Sequence, residues 1–263
     1  MGEVSVRHRV ITPEVASQML EQNTMNRPIS KPHVAFLKRE MLSGRWKFNG
    51  DTITTNGTGL IDGQHRLQAC VESGVSFETL VVEGIPQSVF DTKDVGKRRS
   101  KADTLSVKGE KNTRILASTL VFVDEYITGT VMKRRSYTNM EVEALLDKYP
   151  GIQESVTLGK GYAKRFPITG TMIAGCHYLF SRKDEEMAEL FFDALVKGID
   201  LQEDDPVYLL RERVNLNAFS KAKLPPRDIF ALMIKAWNAT REGKKLRVLR
   251  WSAGAGEPFP AIK

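Results

Sequence analysis

The chain has 263 residues, of which 41% are hydrophobic and 27% are charged, and its formal net charge is +7. This composition is typical of a globular protein with a substantial core and excludes collagen-like, mucin-like and disordered chains. The apolar runs are too short to span a bilayer, and the N-terminus lacks a signal-peptide pattern. Two cysteines cannot form a disulfide framework, so we expect a cytoplasmic protein without a membrane partner.

The N-terminal part of the chain combines strand and helix patterns. Alternating valines predict a strand over residues 4–10, and Thr12-Pro13 predicts the start of a helix, because Thr caps helices and Pro fits their first turn. A second helix is expected to end at Gly44, and Asn56-Gly57 predicts a hairpin between two short strands. A further helix and a further strand are expected over residues 64–73 and 79–82.

Helical patterns dominate the chain after Gly109, where strand patterns nearly vanish. Thr138 and Glu141 form a capping-box pattern at the start of one of these helices. We therefore expect an α+β protein with a small α/β domain at residues 1–108 and an all-helical domain at residues 109–263. The expected helices of the second domain cover residues 112–126, 138–149, 169–180, 184–197, 206–214 and 226–241.

The most informative segment is Asp62-Gly63-Gln64-His65-Arg66, at a junction between a predicted strand and a predicted helix. A helix start leaves backbone N–H groups unpaired and carries roughly half a positive charge. Gly63 lets the backbone approach a ligand, and the forked donors of Arg66 match phosphate oxygens. His65 can donate or move a proton, and Asp62 can hold Mg²⁺ or a sugar hydroxyl. Together they predict an anion site; the alternative is a tight turn with polar surface residues.

The same segment resembles the signature of the ParB/sulfiredoxin superfamily, in which Gly-x-x-Arg lies between a strand and a helix. The full sequence Asp-Gly-Gln-His-Arg is similar to the form found in DndB-like and phage proteins, and the resemblance covers about residues 4–105. It implies a site for ATP or CTP with Mg²⁺, in which Gly63, Gln64, His65 and Arg66 bind phosphates. In this reading Asp62 coordinates Mg²⁺ or activates an acceptor, and Asp62, His65 and Arg66 are the catalytic residues.

Two departures from the superfamily pattern narrow the expected chemistry. Gln64 occupies the position of the cysteine that sulfiredoxin needs, so reduction of sulfinic acids is not expected. Around Asn26-Arg27-Pro28 the glutamate base of the serine kinase is missing, whereas Arg27 resembles the arginine of the partitioning CTPases. Arg27 is therefore assigned to the nucleotide site by resemblance.

A basic segment, Asp94 to Ser100, follows the last predicted strand of the α/β part. Three consecutive bases can close over phosphates or contact a DNA backbone. The segment is similar to an Asp-x-Gly-x-x-Arg-Ser stretch of phage proteins of this kind. We assign Arg99 to the phosphates and Lys97 and Arg98 to DNA; a solvated basic loop is the alternative.

Charge is unevenly distributed in the second half of the chain. Residues 181–212 contain ten acids and four bases, whereas residues 217–263 contain ten bases and three acids. A basic segment is a reasonable footprint for DNA, and Trp251 either stacks on a base or attaches the C-terminal segment to its own domain. The alternative is that the bases only solubilise the protein or contact its own acidic stretch. The residues assigned to DNA are Lys244, Lys245, Arg247 and Arg250.

We expect a nucleotide-binding protein that cleaves ATP or CTP, or transfers its phosphoryl group, in a DNA-related process such as phage or plasmid DNA modification, defence or partition. One alternative is a non-enzymatic DNA-binding protein that is switched by nucleotide, and a second is a ParB-like nuclease. We disfavour the nuclease because the sequence shows no cluster of carboxylates beyond Asp62 that would hold two metal ions. The sequence leaves open whether the chain forms a homodimer.

Overall fold

A computed structural model describes residues 3–24, 26, 28–86, 100–131 and 135–263. The protein is a mixed α/β structure that contains a small four-stranded sheet and is 54% helical. The chain divides into two compact units, Met1–Arg98 and Arg99–Lys263. The α+β class expected from the sequence is confirmed at this level.

The sheet of the first unit contains four strands, in the order β1-β4-β2-β3. β1 pairs antiparallel with β4, β2 pairs parallel with β4, and β2 and β3 form the hairpin predicted from Asn56-Gly57. Thr54 lies opposite Asp62, so the end of β3 is held beside β2. The strands are β1 (Ser5–Ile11), β2 (Thr52–Thr55), β3 (Leu60–Asp62) and β4 (Phe77–Glu83).

Three helices pack with this sheet: α1 (Pro13–Glu21), α2 (Lys31–Leu42) and α3 (Gln64–Ser73). Thr12 caps α1 by accepting a hydrogen bond from the Val15 N–H, as its sequence predicts. Gly74 ends α3 in the left-handed conformation, which glycine adopts without a steric cost. The shared core of this unit consists of Ile11, Ala16, Val34, Leu37, Met41, Ile53, Leu60, Leu67, Ala69, Cys70, Phe77 and Val81.

The alternating valines of β1 form a strand, but they do not enter the core. Val6 and Val10 are more than half exposed, whereas Ile11 at the end of the strand is fully buried. β1 lies at one end of the strand order, where a strand has one sheet neighbour instead of two. The period-2 pattern therefore identified the strand without showing which face is covered.

The described part of the second unit is built from helices. They are α4 (Lys101–Val107), α5 (Thr113–Ile127), α6 (Asn139–Lys148), α7 (Ile152–Tyr162), α8 (Gly170–Ser181), α9 (Glu185–Lys197), α10 (Pro206–Phe219) and α11 (Pro226–Arg241). α4 lies before the expected domain boundary at residue 108 and packs against α5 and α6 of the second unit. The core of this unit includes the large side chains Phe180, Phe191, Phe192, Phe230 and Trp237.

Two helices, α4 and α7, were not expected from the sequence. α10 was expected to end at Val214, but it continues for about one more turn to Phe219. α7 contains Gly159 and Gly161, which lower helix propensity and hide the apolar pattern. The structure explains Gly159: a Cβ there would lie 2.5 Å from the Gly170 carbonyl oxygen on α8. The glycine allows close packing of α7 on α8, a tertiary reason that local sequence does not reveal.

In the described parts of the chain, none of the helices combines the length and the apolar character needed to cross a bilayer.

Candidate functional site

Gly63 forms the turn between β3 and α3, and its backbone requires a glycine for two reasons. Its φ is 105°, in the left-handed region that side chains disfavour. A Cβ on Gly63 would lie 2.3 Å from Cδ1 of the buried Ile53, so the turn passes very close to β2. The Gly63 N–H donates to Asp62 Oδ1 at 2.6 Å, and the Gly63 carbonyl accepts from Arg66 and Leu67 at the first turn of α3. The predicted strand-to-helix turn is therefore present and tightly fixed.

Arg66 reaches back from α3 to the beginning of β2. Its Nη2 donates to the Thr52 carbonyl oxygen at 2.7 Å and lies 3.5 Å from Asp62 Oδ2, while Nη1 lies 3.7 Å from Asp51 Oδ2. The Arg66 side chain is only 14% exposed, and Nη1 has no hydrogen-bond partner among the described residues. These contacts indicate that Arg66 also ties α3 to the sheet.

The charges around Arg66 are more acidic than the sequence suggested. Asp62 and Asp51 both lie within 4 Å of the guanidinium, and the Asp51 side chain is 61% exposed. Asp51 was missed because it lies eleven positions before Asp62 in the sequence. It comes close to Arg66 only in the folded chain, where Arg66 is hydrogen-bonded to Thr52 at the start of β2. Two carboxylates repel a bare phosphate but suit a phosphate that arrives with a divalent cation.

The segment between α1 and α2 is hydrogen-bonded to the same turn. Asn23 Nδ2 donates to Gln64 Oε1 at 3.0 Å, and Asn26 Nδ2 donates to the Leu60 carbonyl at 2.7 Å. The Gln64 side chain is 4% exposed, so it holds this segment and does not face a ligand. A role for Gln64 at the phosphates is therefore limited to its backbone.

His65 is oriented by the same segment. The Ser30 backbone N–H donates to His65 Nε2 at 3.0 Å, which places the proton of the neutral ring on Nδ1. The His33 ring meets the His65 ring edge to face, with centroids 5.1 Å apart. His65 is thus oriented next to the helix start by the hydrogen bond to its Nε2.

Four residues assigned from sequence lie outside the described residues: Arg27 and Arg99 at the nucleotide, and Lys97 and Arg98 at DNA. The structure leaves their roles as predictions.

The bases near the C-terminus fall into two classes. Lys245 pairs with Asp204 at 3.1 Å and with Asp205, and Lys244 pairs with Glu242 at 2.5 Å. Arg247 and Arg250 are exposed and form no ion pair with another described residue. Two of the four C-terminal bases assigned to DNA are therefore already close to carboxylates of their own chain, as in the alternative drawn from sequence.

Trp251 attaches the C-terminal segment to its own unit. It is 8% exposed, and its Nε1 donates to the Pro258 carbonyl at 3.1 Å. The Arg227 guanidinium lies 4.9 Å from the Trp251 ring centroid, and the Phe259 ring packs edge to face against it. Stacking of Trp251 on a base is excluded in this conformation.

Other reactive side chains of the described residues do not form a second centre. Cys70 is buried, and burial raises the pKa of its thiol to about 11, which keeps it protonated and unreactive. Among the described residues no group of three or more His, Cys, Asp or Glu side chains is arranged to hold a metal ion.

Comparison with known proteins adds no relative to this geometry: neither a family model, nor a curated protein, nor a solved structure matches the chain.

Proposed function

We propose that the first unit binds ATP or CTP as a magnesium complex at the Gly63 turn, in the manner of the ParB/sulfiredoxin superfamily. The observation that carries this proposal is the position of Arg66 between Asp51 and Asp62, directly after the glycine turn at the N-terminus of α3. A helix start and a guanidinium attract phosphate, whereas the two carboxylates attract a cation. A nucleotide with Mg²⁺ satisfies both.

In this proposal each residue has one task. The backbone at the start of α3 and the Arg66 guanidinium bind phosphate oxygens. Asp62 and Asp51 hold Mg²⁺, a cation that takes one or two carboxylates together with the phosphates of its nucleotide. His65, at the start of α3, orients the phosphates or moves a proton. Cleavage or phosphoryl transfer would follow from the same arrangement and would serve a DNA-related process.

The proposal is tested by calorimetric titration with ATP and CTP, each with Mg²⁺ and with a chelator. We expect wild-type protein to bind only the magnesium complex. Asp51→Asn and Asp62→Asn should bind the magnesium complex more weakly but the free nucleotide more strongly, because each removes a metal ligand and a repulsive charge. Arg66→Ala should lose about 2–5 kcal/mol in binding the magnesium complex, as expected for the partner of a desolvated phosphate.

Arg45 provides the matched control for Arg66. It pairs with Glu40 at 2.8 Å beyond the C-terminal end of α2, whereas Ser30 at the other end of that helix contacts His65. Arg45→Ala should bind nucleotide like the wild type. If no nucleotide binds in either condition, or if the aspartate variants respond with the same sign in both, the magnesium-nucleotide proposal is wrong.

A non-enzymatic nucleotide switch is the second candidate, and one observation favours it. The segment between α1 and α2 is hydrogen-bonded to the Gly63 turn and its neighbours through Asn23, Asn26 and Ser30. A ligand at the Gly63 turn would therefore act directly on this segment. Single-turnover assays with and without DNA separate the two candidates. Release or transfer of phosphate indicates an enzyme, whereas stable binding without product indicates a switch.

A further inference from the structure

The C-terminal end of α10 exposes large apolar side chains to solvent. Val207, Leu210 and Val214 are buried on one side of the helix, whereas Leu216 is 67% exposed and Phe219 is 91% exposed. Leu216 and Phe219 are three residues apart and therefore lie on the same face of the helix. An exposure of 91% means that the Phe219 ring protrudes with both faces accessible.

Three basic residues lie within six positions of Phe219 along the chain. Arg213 and Lys221 are exposed and form no ion pair with another described residue. Lys223 is held in place, because its Nζ donates to the carbonyl oxygens of Asn217, at 3.0 Å, and of Ala218. Glu212 is the nearby acid, so the local charge is positive. We refer to Arg213, Leu216, Phe219, Lys221 and Lys223 together as the α10 tip.

We propose that the α10 tip binds single-stranded nucleic acid, with Phe219 stacking on an unpaired base and the exposed cations Arg213 and Lys221 contacting the backbone. Non-specific binding of single strands combines positive charge along the backbone with aromatic rings on which bases stack. An accessible ring beside cations meets both requirements. The biological sense of this inference rests on the proposed DNA-related function, but the surface lies in the second unit and is tested independently of the nucleotide turn.

Two other partners fit the α10 tip less well. Apolar side chains of any shape favour binding to an anionic bilayer, and cations near them contact its headgroups. Lys223, however, is hydrogen-bonded to the end of the helix and is not free to follow mobile headgroups. A protein partner would need a pocket deep enough for a ring that protrudes almost completely. A base needs only one open face of that ring, and the chain as a whole carries a net charge of +7.

The test measures fluorescence anisotropy of a labelled oligothymidylate of about 15 nucleotides, a length suited to sites of this class. Phe219→Ala should weaken binding on the order of ten- to hundred-fold. Phe219→Leu should lose as much, because leucine keeps the apolar area but lacks a face for stacking. Phe219→Trp, unlike these two variants, should bind about as tightly as the wild type. Arg213→Ser and Lys221→Ser should each lower the salt slope of log K by about 0.7.

Leu190 is the control, because it is an exposed leucine on α9, at 64%, outside the α10 tip. Leu190→Ala should bind like the wild type, and circular dichroism should show unchanged helicity for every variant. The inference is overturned by any of three results: no binding at low salt, wild-type affinity in Phe219→Leu, or Phe219-dependent binding to phosphatidylserine vesicles without binding to the oligonucleotide. None of these three results bears on the titration of the first unit with magnesium-nucleotide complexes, which tests the proposed function separately.

Discussion

Gly63 is the residue on which the geometry of the turn between β3 and α3 depends. Gly63→Ala combines a positive φ with a contact against Ile53, and we expect a loss of about 1–3 kcal/mol in the free energy of unfolding. The measurement is urea denaturation. Gly57→Ala is a matched control, because φ at Gly57 is 96° and a Cβ there meets nothing within 4 Å. Equal losses in the two variants would show that the close approach to Ile53 is unimportant.

Residue identity alone predicted the turn but not all of its chemistry. Gly63 and Arg66 were identified because glycine suits a tight turn and the forked donors of arginine match phosphate oxygens. Asp51 was missed because it comes close to Arg66 only in the folded chain. The Gln64 side chain is buried against Asn23, so its assignment to the phosphates stays a prediction for its backbone amide. A sequence pattern gives the order of the hydrogen-bond donors along the chain. The fold determines which of these donors face a ligand.

At the scale of the element, α8 contains a histidine that makes the stability of the second unit dependent on pH. His177 is 8% exposed, its Nδ1 lies 2.9 Å from Ser155 Oγ, and burial lowers its pKa from 6.5 to about 4. The unfolded chain therefore takes up a proton at a higher pH than the folded protein. The contribution of His177 is complete above pH 6.5 and is lost as the pH falls towards 4.

The expected size of that loss is roughly 3 kcal/mol over this range, from about 1.4 kcal/mol for each pH unit. Denaturant unfolding at pH 7 and pH 4.5 measures it. His177→Gln should lose clearly less stability between the two values than the wild type. His8→Gln, which replaces a histidine that is 54% exposed, should behave like the wild type. An identical pH dependence in His177→Gln and the wild type would contradict the assignment to His177.

Helices with local start signals were predicted well from sequence. The capping box of Thr138 and Glu141 is present with both hydrogen bonds, and α11 has the bounds that were expected. Helices positioned by tertiary contacts were harder to predict, as Gly159 of α7 shows. α5 and α6 are further joined through the buried Asp124, which accepts hydrogen bonds from Tyr137, Tyr149 and Lys148. The sequence showed none of these partners.

For the whole molecule, net charge proved a poor guide to which bases are available. The contrast between the acidic stretch 181–212 and the basic stretch 217–263 predicted a DNA-binding C-terminus. Lys245 bridges the two stretches through Asp204 and Asp205, while DNA binding by the C-terminal bases stays a prediction. Opposite charges in neighbouring stretches of one chain are as well suited to pair with each other as with a partner. The α10 tip was not distinguished by charge counting, because its evidence is the exposure of Phe219.

The proposed binding of a nucleotide at the Gly63 turn is best tested by nuclear magnetic resonance of the nitrogen-15-labelled protein. Titration with the magnesium complexes of ATP and CTP should give saturable shifts that are largest at the backbone amides of residues 63–66. Smaller shifts should appear at Asn23, Asn26 and Ser30, which are hydrogen-bonded to β3 and to the start of α3. Saturable shifts that lie elsewhere, with the amides of residues 63–66 unchanged, would contradict the account.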